Sequence, residues 1–220
     1  MRPAGLHDRA GIDVTALYEV RYDAQPGATV TEFLAVTTAE VGDRPGIATL
    51  TRDALTLRVW RHPADPRLPD LPAACDIATV TSWVGSAVHE LTTMSYRPLR
   101  RAVLRARSHD RTVFLKVSRP RRVAAIAERQ QLLAAAGIAP DLLGRPLPGV
   151  VLSSAAAGAP LAEHLSALRP ELAVPEPSAV VELLDALPYA VTELARRPSW
   201  SDRLDFHVSG TRTAMGTASC

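Results

Sequence analysis

Asparagine is absent from the 220 residues, and lysine occurs only once, at position 116, whereas the chain has 24 arginines. The two cysteines, Cys75 and Cys220, are far apart, which excludes a disulfide framework and a cysteine-based zinc site. No apolar run approaches the ~20 residues of a membrane-spanning helix, and residues 1–13 have no apolar core for a signal peptide. The sequence therefore predicts a cytoplasmic protein without a membrane partner.

The overall composition is typical of a globular protein. Hydrophobic residues make up 47% of the chain, which is enough to build a core and argues against general disorder. The formal net charge of +2 is too small to indicate a nucleic-acid partner. Two basic clusters, at residues 97–101 and 119–122, are each interpreted most simply as solvated turns.

The single lysine lies within the apolar stretch 113–117, which is typical of a short buried strand. Lysine and arginine are not equivalent, because lysine carries a compact ammonium and arginine a planar guanidinium. A site that presents a point charge to a phosphate in a narrow cleft favours lysine. The alternative is that Lys116 is incidental and its aliphatic stem extends to solvent at a strand end.

Residues 1–76 are predicted to form a β-rich N-terminal module. We expect residues 1–12 to be a mobile lead-in. Beyond it, alternating and β-branched patterns predict four strands, over 14–22, 29–38, 47–52 and 54–61. Four prolines between His62 and Pro72 predict an irregular connector. His62, close to Asp65 in sequence, is interpreted as a loop histidine rather than a ligand.

Residues 77–160 are predicted to form a second unit, in which strands surround one helix. The helix is expected over 121–136, because Pro120 suits a first turn and Gly137 suits a C-terminal cap. The other predicted segments are a short helical or mixed stretch at 73–86, paired strands at 88–96 and 101–107 around a turn at 97–100, a strand at 112–117, an extended piece at 140–143, and an apolar strand at 149–153 before a flexible run of small residues.

This order of elements resembles a kinase N-lobe, and the chain is similar to the aminoglycoside phosphotransferase family of small-molecule kinases. The segments that carry the resemblance are 96–105, 113–117, 127–133 and 150–161. The front module is similar to the N-terminal cap of maltokinase-like relatives. The resemblance covers residues 88–200 and implies an α+β fold: a protein-kinase-like N-lobe preceded by the β-rich cap and followed by an incomplete helical C-lobe over 161–208.

The resemblance also implies a nucleotide site. Lys116 would hold the α- and β-phosphates of ATP, and Glu128 on the following helix would fix it by an ion pair. The backbone at Ser153 and Ser154 would meet the adenine edge. The turn that contains Arg97 and Arg100 would lie over the phosphates, although it has no glycine. The alternative for Glu128 is an exposed position with a local arginine partner, Arg121 or Arg129.

The resemblance stops where a phosphotransferase carries its catalytic loop. The family implies ATP, Mg²⁺ and a small-molecule acceptor such as a sugar or an aminoglycoside, with a His-Gly-Asp motif, an asparagine and a metal-binding aspartate. Asp202, Asp205 and His207 do not form that motif, and the chain has no asparagine. We therefore expect a phosphotransferase that is truncated before its catalytic loop and inactive alone, with its metal ligands missing and residues 209–220 as a disordered tail.

The alternative hypothesis is a non-catalytic nucleotide-binding or regulatory protein. Between residues 178 and 197, apolar side chains recur at helical spacing, which predicts an amphipathic helix that Pro188 kinks. The stripe consists of Val180, Leu184, Leu187, Val191 and Leu194. Through this stripe the chain would bind a protein partner or a second copy of itself. A further alternative is a plain α+β domain in which Lys116 is incidental.

Overall fold

A computed structural model describes residues 1–9, 12–25, 28–158, 161, 176–196, 199 and 201. The described chain is α+β and contains two five-stranded antiparallel sheets with a few helices. Of the predicted C-lobe segment over 161–208, only residues 161, 176–196, 199 and 201 are described. Asp202, Asp205, His207 and the predicted tail over 209–220 lie outside the described residues.

The first sheet contains five strands in the order β1-β2-β3-β5-β4. Their bounds are β1 Arg2–Arg9, β2 Asp13–Gln25, β3 Ala28–Thr37, β4 Ile47–Arg52 and β5 Leu55–Arg61. The four predicted strands are confirmed to within a few residues at each end.

The prediction of a mobile lead-in over residues 1–12 is wrong. Residues Arg2–Arg9 form the edge strand β1, which pairs with β2 from Arg2 opposite Glu19 to Arg9 opposite Asp13. The guanidinium of Arg2 donates to the carboxylate of Glu19, with its Nε 3.0 Å from Oε2. This cross-strand ion pair ties the start of the chain to the sheet.

Two short helices connect the sheets, α1 at Leu71–Ala74 and α2 at Ile77–Val84. The side chain of Asp76 accepts from the backbone N–H of Thr79 at 2.7 Å and so caps α2. Gly85 ends α2 with φ of 73°, a left-handed conformation that glycine adopts without strain. The prediction of a helical or mixed segment here is confirmed.

The second sheet has the strand order β6-β7-β8-β10-β9. Its elements are β6 Val88–Arg97, β7 Arg101–Ser108, β8 Thr112–Ser118, helix α3 Pro120–Ala135, β9 Leu142–Gly144 and β10 Val150–Ser154. The predicted strands and the helix between them are confirmed, with Pro120 in the first turn of α3 and Gly137 at φ of 71° just beyond its end.

The two faces of the second sheet pack against different helices. Leu71 of α1, Val80 of α2 and Leu115 of β8 belong to one fully buried cluster. On the other face, Val123 and Ala127 of α3 pack against Val151 of β10. Burial of each such leucine or valine side chain contributes about 1.5–3 kcal/mol. Because side chains alternate along β8, Lys116 lies on the α3 face of the sheet.

The C-terminal helix is shorter than predicted. Helix α4 covers Pro177–Asp185, and a single 3₁₀ turn follows at Tyr189–Val191. The prediction of one kinked helix over 178–197 is wrong, because the helix ends before Pro188, whose ring disfavours helical backbone at the preceding residue. Of the helices in the described ranges, none has the length and apolar character needed to cross a bilayer.

Candidate functional site

A cleft of about 450 Å³ opens between the second sheet and α3. Its described lining contains six cationic side chains: Arg97, Arg100, Arg101, Lys116, Arg122 and Arg129. No aspartate or glutamate occurs among the described residues that line it. Such a concentration of one sign of charge in a concave site attracts anions.

The strand register places part of this charge on one face of the sheet. Arg101 of β7 lies opposite Ser118 of β8 and opposite Arg97 of β6. Ser118 is two residues from Lys116, so both side chains project from the same face. Val151 lies opposite Lys116 and packs against α3. The three cations of the sheet are therefore directed towards α3.

Helix α3 supplies the opposite wall of the cleft. Arg122, Ile126 and Arg129 follow one another at spacings of four and three residues, which places them on one face of a helix. The side-chain amide of Gln130 donates to the carbonyl of Pro140 at 2.5 Å and fixes the distal part of the helix to the following loop. The neighbouring Arg121 is exposed and does not line the cleft.

The turn between β6 and β7 closes one end of the cleft. The backbone N–H of Arg100 donates to the carbonyl of Arg97 at 3.1 Å. Leu99 has a φ of 62°, in the left-handed region that leucine rarely adopts, and Pro98 precedes it. Proline at the second position and a positive φ at the third are typical of a type II turn, which usually has glycine at that third position.

Leu99 is held in this conformation from both sides. Its N–H donates to Oδ2 of Asp65 at 2.7 Å, and its carbonyl accepts from Nε and Nη2 of Arg119 at 3.0 and 2.7 Å. Asp65 lies in the connector that follows the first sheet and is only 3% exposed. A buried carboxylate from the connector thus positions the turn that carries Arg97 and Arg100.

The same carboxylate links the turn to the first sheet. Tyr96 donates its hydroxyl hydrogen to Asp65 at 2.9 Å, and its oxygen accepts from Nε1 of Trp60 at 2.9 Å. Burial raises the pKa of Asp65, an effect that hydrogen bonds from Leu99, Arg67 and Tyr96 oppose. Trp60, which is almost completely buried, is therefore connected to Leu99 through two polar side chains.

Two further groups beside this network are held neutral by burial. Burial lowers the pKa of His62, whose ring meets the Tyr96 ring edge-on at 4.8 Å between centroids. Burial raises the pKa of the nearby Cys75 thiol to about 11. The Sγ of Cys75 lies 3.9 Å from Nε2 of His62. His62 is thus a packed connector residue, in keeping with its interpretation as a loop histidine.

The structure brings three of the sequence-predicted site residues together. Lys116, Arg97 and Arg100 all line the cleft, and Lys116 is exposed there. Glu128 is exposed on α3 and does not belong to the described lining. Among the ion pairs of the described residues, none joins Glu128 to Lys116 or to a neighbouring arginine. The ion pair that would fix Lys116 in a nucleotide-bound protein stays a prediction.

Ser153 and Ser154 lie on β10, outside the described lining of the cleft. The N–H of Ser154 donates to the carbonyl of Asp141 at 3.0 Å, and its hydroxyl accepts from the N–H of Asp141 at 2.9 Å. Ser153 donates its hydroxyl hydrogen to the carbonyl of Phe114 at 3.5 Å. Contact of these two residues with an adenine ring stays a prediction.

The interpretation of the two basic clusters as solvated turns needs correction. The first cluster contributes three arginines to the cleft lining, and the second contributes Arg122. Arg119 holds the carbonyl of Leu99 instead of facing only solvent. Arg122 and Arg129 were not among the predicted nucleotide-binding residues. Their seven-residue spacing, which places both on the same face of α3, is the sequence signal that could have identified them.

The described lining does not suit a magnesium ion. Mg²⁺ is bound through carboxylate and phosphate oxygens, and the described lining offers cations, one hydroxyl and one amide as its polar groups. Within the described ranges, no three His, Cys, Asp or Glu side chains are grouped closely enough to hold a metal ion. No family model, curated protein or solved structure matches the chain.

Proposed function

We propose that the chain binds ATP or a related nucleotide by its phosphates in the basic cleft, and that residues 1–220 do not themselves transfer a phosphoryl group. One observation carries this proposal: the only lysine of the chain lies in a cleft with five arginines. Phosphate oxygens are strong acceptors for both types of side chain, and the two bind them with different geometry.

The topology of the second sheet supports the resemblance to the aminoglycoside phosphotransferase family. In chain order, helix α3 follows β8, the third strand of this sheet, and precedes β9. Lys116 lies on β8. In a kinase-like N-lobe, a lysine on the third strand contacts the α- and β-phosphates. A protein-kinase-like N-lobe is therefore the fold that we propose for residues 77–160, with a sugar or aminoglycoside hydroxyl as the acceptor in the wider family.

We propose nucleotide binding without phosphoryl transfer because the chain lacks residues that the transfer reaction requires. The reaction depends on positioning the acceptor hydroxyl and on metal ions that neutralise the developing charge. The family uses an asparagine for one of the metal ions, and this chain contains no asparagine. The described residues of the cleft bind phosphate and offer no group placed as a general base.

The test of this proposal is ATP-dependent stabilisation of the protein. ATP at a hundredfold excess over its dissociation constant should stabilise the wild-type fold by ~2.7 kcal/mol, measured as a higher melting temperature. Lys116→Ala should weaken binding about tenfold, because it removes one charge-assisted hydrogen bond. Arg121→Ala is the matched control, since this exposed arginine does not line the cleft.

Two results would contradict the proposal. If ATP leaves the melting temperature of wild type and Lys116→Ala unchanged, the cleft does not bind the nucleotide and Lys116 is incidental. If the pure protein phosphorylates a sugar with ATP, and Lys116→Ala abolishes this activity, the chain is a catalyst in its own right.

The exposed face of α4 favours a second candidate function, self-association. Val180, Val181, Leu183 and Leu184 are each about half exposed, at 49%, 56%, 50% and 59%. Four adjacent apolar side chains on one short helix are typical of a protein interface. Sedimentation equilibrium tests this: the mean mass should rise with concentration, and Leu184→Glu should return the protein to a monomer. Ser178→Glu is the control, because it adds the same charge to α4 without removing apolar surface, and it should associate as the wild type does. A wild type that stays monomeric at all concentrations would contradict self-association.

A further inference from the structure

We propose that the basic cleft binds a linear triphosphate in its metal-free form rather than as a magnesium complex. This inference rests on the proposed function and specifies the chemical form of its ligand. The shared chemistry is a chain of phosphates, whether it belongs to a nucleotide or to inorganic tripolyphosphate.

The first argument is unbalanced charge. Of the six cations in the described lining, Arg97, Arg101, Arg122 and Arg129 take part in no ion pair within the described part of the chain. Like charges that face one another across a cleft repel each other. An anion with several negative charges relieves this repulsion most, so the cleft favours an extended polyphosphate over a single phosphate.

The second argument concerns Arg97, which is both part of the lining and partly buried. Its Nε is buried and has no hydrogen-bond partner. Most buried polar atoms in proteins have such a partner, because removing a charged group from water without a counter-charge is unfavourable. An anion in the cleft offsets this unfavourable desolvation, whereas an anion already neutralised by a metal ion does so less well.

The third argument is the mismatch with magnesium. A protein that binds a magnesium–phosphate complex usually contributes one or two carboxylates to the metal, together with phosphate oxygens. The described lining contributes none, and a bound Mg²⁺ would add positive charge to six cations. Magnesium also cancels part of the negative charge of the triphosphate, which is the property that this cleft recognises. The volume of about 450 Å³ falls within the ~300–1,000 Å³ typical of small-molecule sites.

The test is isothermal titration of the whole chain with ATP, inorganic tripolyphosphate and AMP, each in EDTA and in excess Mg²⁺. In EDTA we expect ATP and tripolyphosphate to bind, and AMP to bind at least about tenfold more weakly because it offers fewer charged contacts. Excess Mg²⁺ should weaken ATP binding by about tenfold for the same reason. Added NaCl should weaken the binding of both triphosphates.

The variants Arg122→Ala and Arg121→Ala form a matched pair. Both arginines are exposed near the start of α3, and only Arg122 lines the cleft. Arg122→Ala should weaken tripolyphosphate binding about tenfold, and Arg121→Ala should leave it unchanged. Circular dichroism and thermal melting of both variants show whether each one folds. If both substitutions weaken tripolyphosphate binding equally, the cleft is not the binding site.

The outcomes separate this inference from the proposed function. ATP binding that requires Mg²⁺ overturns the metal-free inference and leaves nucleotide binding intact. Binding of ATP without any binding of tripolyphosphate overturns this inference, because the phosphate chain alone is then not recognised; the chain still binds a nucleotide, but only with a contribution from its base or ribose. Binding of tripolyphosphate but not of ATP supports the metal-free site and overturns nucleotide binding. Failure of both ligands to bind overturns both proposals.

Discussion

At the scale of single residues, Leu99 shows how the turn over the cleft forms without glycine. A left-handed backbone at a residue other than glycine costs roughly 1–2 kcal/mol, and Leu99 has a φ of 62°. The cost is offset because its N–H and carbonyl are both hydrogen-bonded and its side chain packs in the cluster that contains Trp60. The turn can therefore adopt a type II conformation with leucine, instead of glycine, at its third position.

We expect Asp65→Asn to loosen this turn. Tyr96 and Leu99 both donate to Oδ2 of Asp65, and the N–H of Arg67 donates to Oδ1. The NH₂ group of asparagine replaces one of these two oxygens, so the donors that face it lose their acceptor. The free energy of unfolding should fall by about 1–3 kcal/mol, measured by urea denaturation. Affinity of the cleft for tripolyphosphate should fall as well, because Arg97 and Arg100 flank Leu99. Asp141→Asn, at an exposed position outside the described ion pairs, is the control and should change neither quantity.

The pH dependence of Asp65→Asn separates charge from packing. Burial raises the pKa of Asp65 above its ordinary value of 3.8, so the folded state binds the proton more tightly than the unfolded state does. Wild type therefore loses stability as the pH rises through the pKa of folded Asp65, and the variant lacks this dependence. The stability difference between the two should be larger in acid than at neutral pH. A difference that grows towards neutral pH would contradict the raised pKa.

At the scale of elements, the sequence predicts most of the strands and α3 because their patterns are local. Alternation fixes the strands, and Pro120 and Gly137 fix the ends of α3. Strand β1 was not predicted, because Pro3 and Gly5 have low β propensity and the pairing register shifts between them. The predicted helix over 178–197 was too long, because its apolar repeat continues past Asp185 although the helix does not.

We expect Glu19→Gln to release β1 from the edge of the first sheet. The hydrogen bond from Arg2, reinforced by Arg21, holds the pKa of Glu19 below its ordinary value of 4.5. The contribution of this carboxylate to stability is therefore present above that value and is lost as the pH falls through the pKa of folded Glu19. Hydrogen exchange of the Arg2–Arg9 backbone amides, followed by mass spectrometry, should be faster in the variant at neutral pH.

Acid should lower the protection factors of these amides in wild type, where each rate is divided by the intrinsic exchange rate at that pH, and should have little further effect on the protection factors of Glu19→Gln. Glu40→Gln, an exposed glutamate outside the described ion pairs, is the control. If β1 exchanges at the same rate in wild type and Glu19→Gln, the ion pair does not hold the strand.

At the scale of the whole molecule, the cleft lies on the second sheet but depends on the first. Trp60 of β5 and Leu99 of the turn belong to one buried cluster, and Tyr96 packs against this cluster and against the core of the second sheet. The sequence drew attention to Lys116 because it is the only lysine and lies in an apolar strand, and the family resemblance added the arginines of the turn; binding of phosphate by these residues stays a prediction. Sequence patterns did not predict the roles of Asp65 and Arg122, because only the tertiary fold brings the connector and the helix to the turn and the cleft.

We expect Tyr96→Phe to weaken the connection between the sheets. The substitution removes the hydroxyl group between Trp60 and Asp65 and leaves both without this partner, which costs about 1–3 kcal/mol. In wild type, urea unfolding followed by tryptophan fluorescence and by far-UV circular dichroism should give coincident curves, as one cooperative unit does. In Tyr96→Phe the midpoint should be lower. Tyr189→Phe, at a position 78% exposed, should leave it unchanged.

The occurrence of the only lysine inside the cleft has a practical consequence for chemical labelling. Amine-reactive acylating reagents can modify two groups on this chain, the α-amino group of Met1 and the ε-amino group of Lys116. Lys116 is exposed, so a reagent can reach it in the folded protein. The ratio of the two acylated products in a mass spectrum becomes a direct report on occupancy of the cleft, with the N-terminal amine as an internal reference. A bound polyanion would shield one amine and leave the other reactive, without any engineered probe.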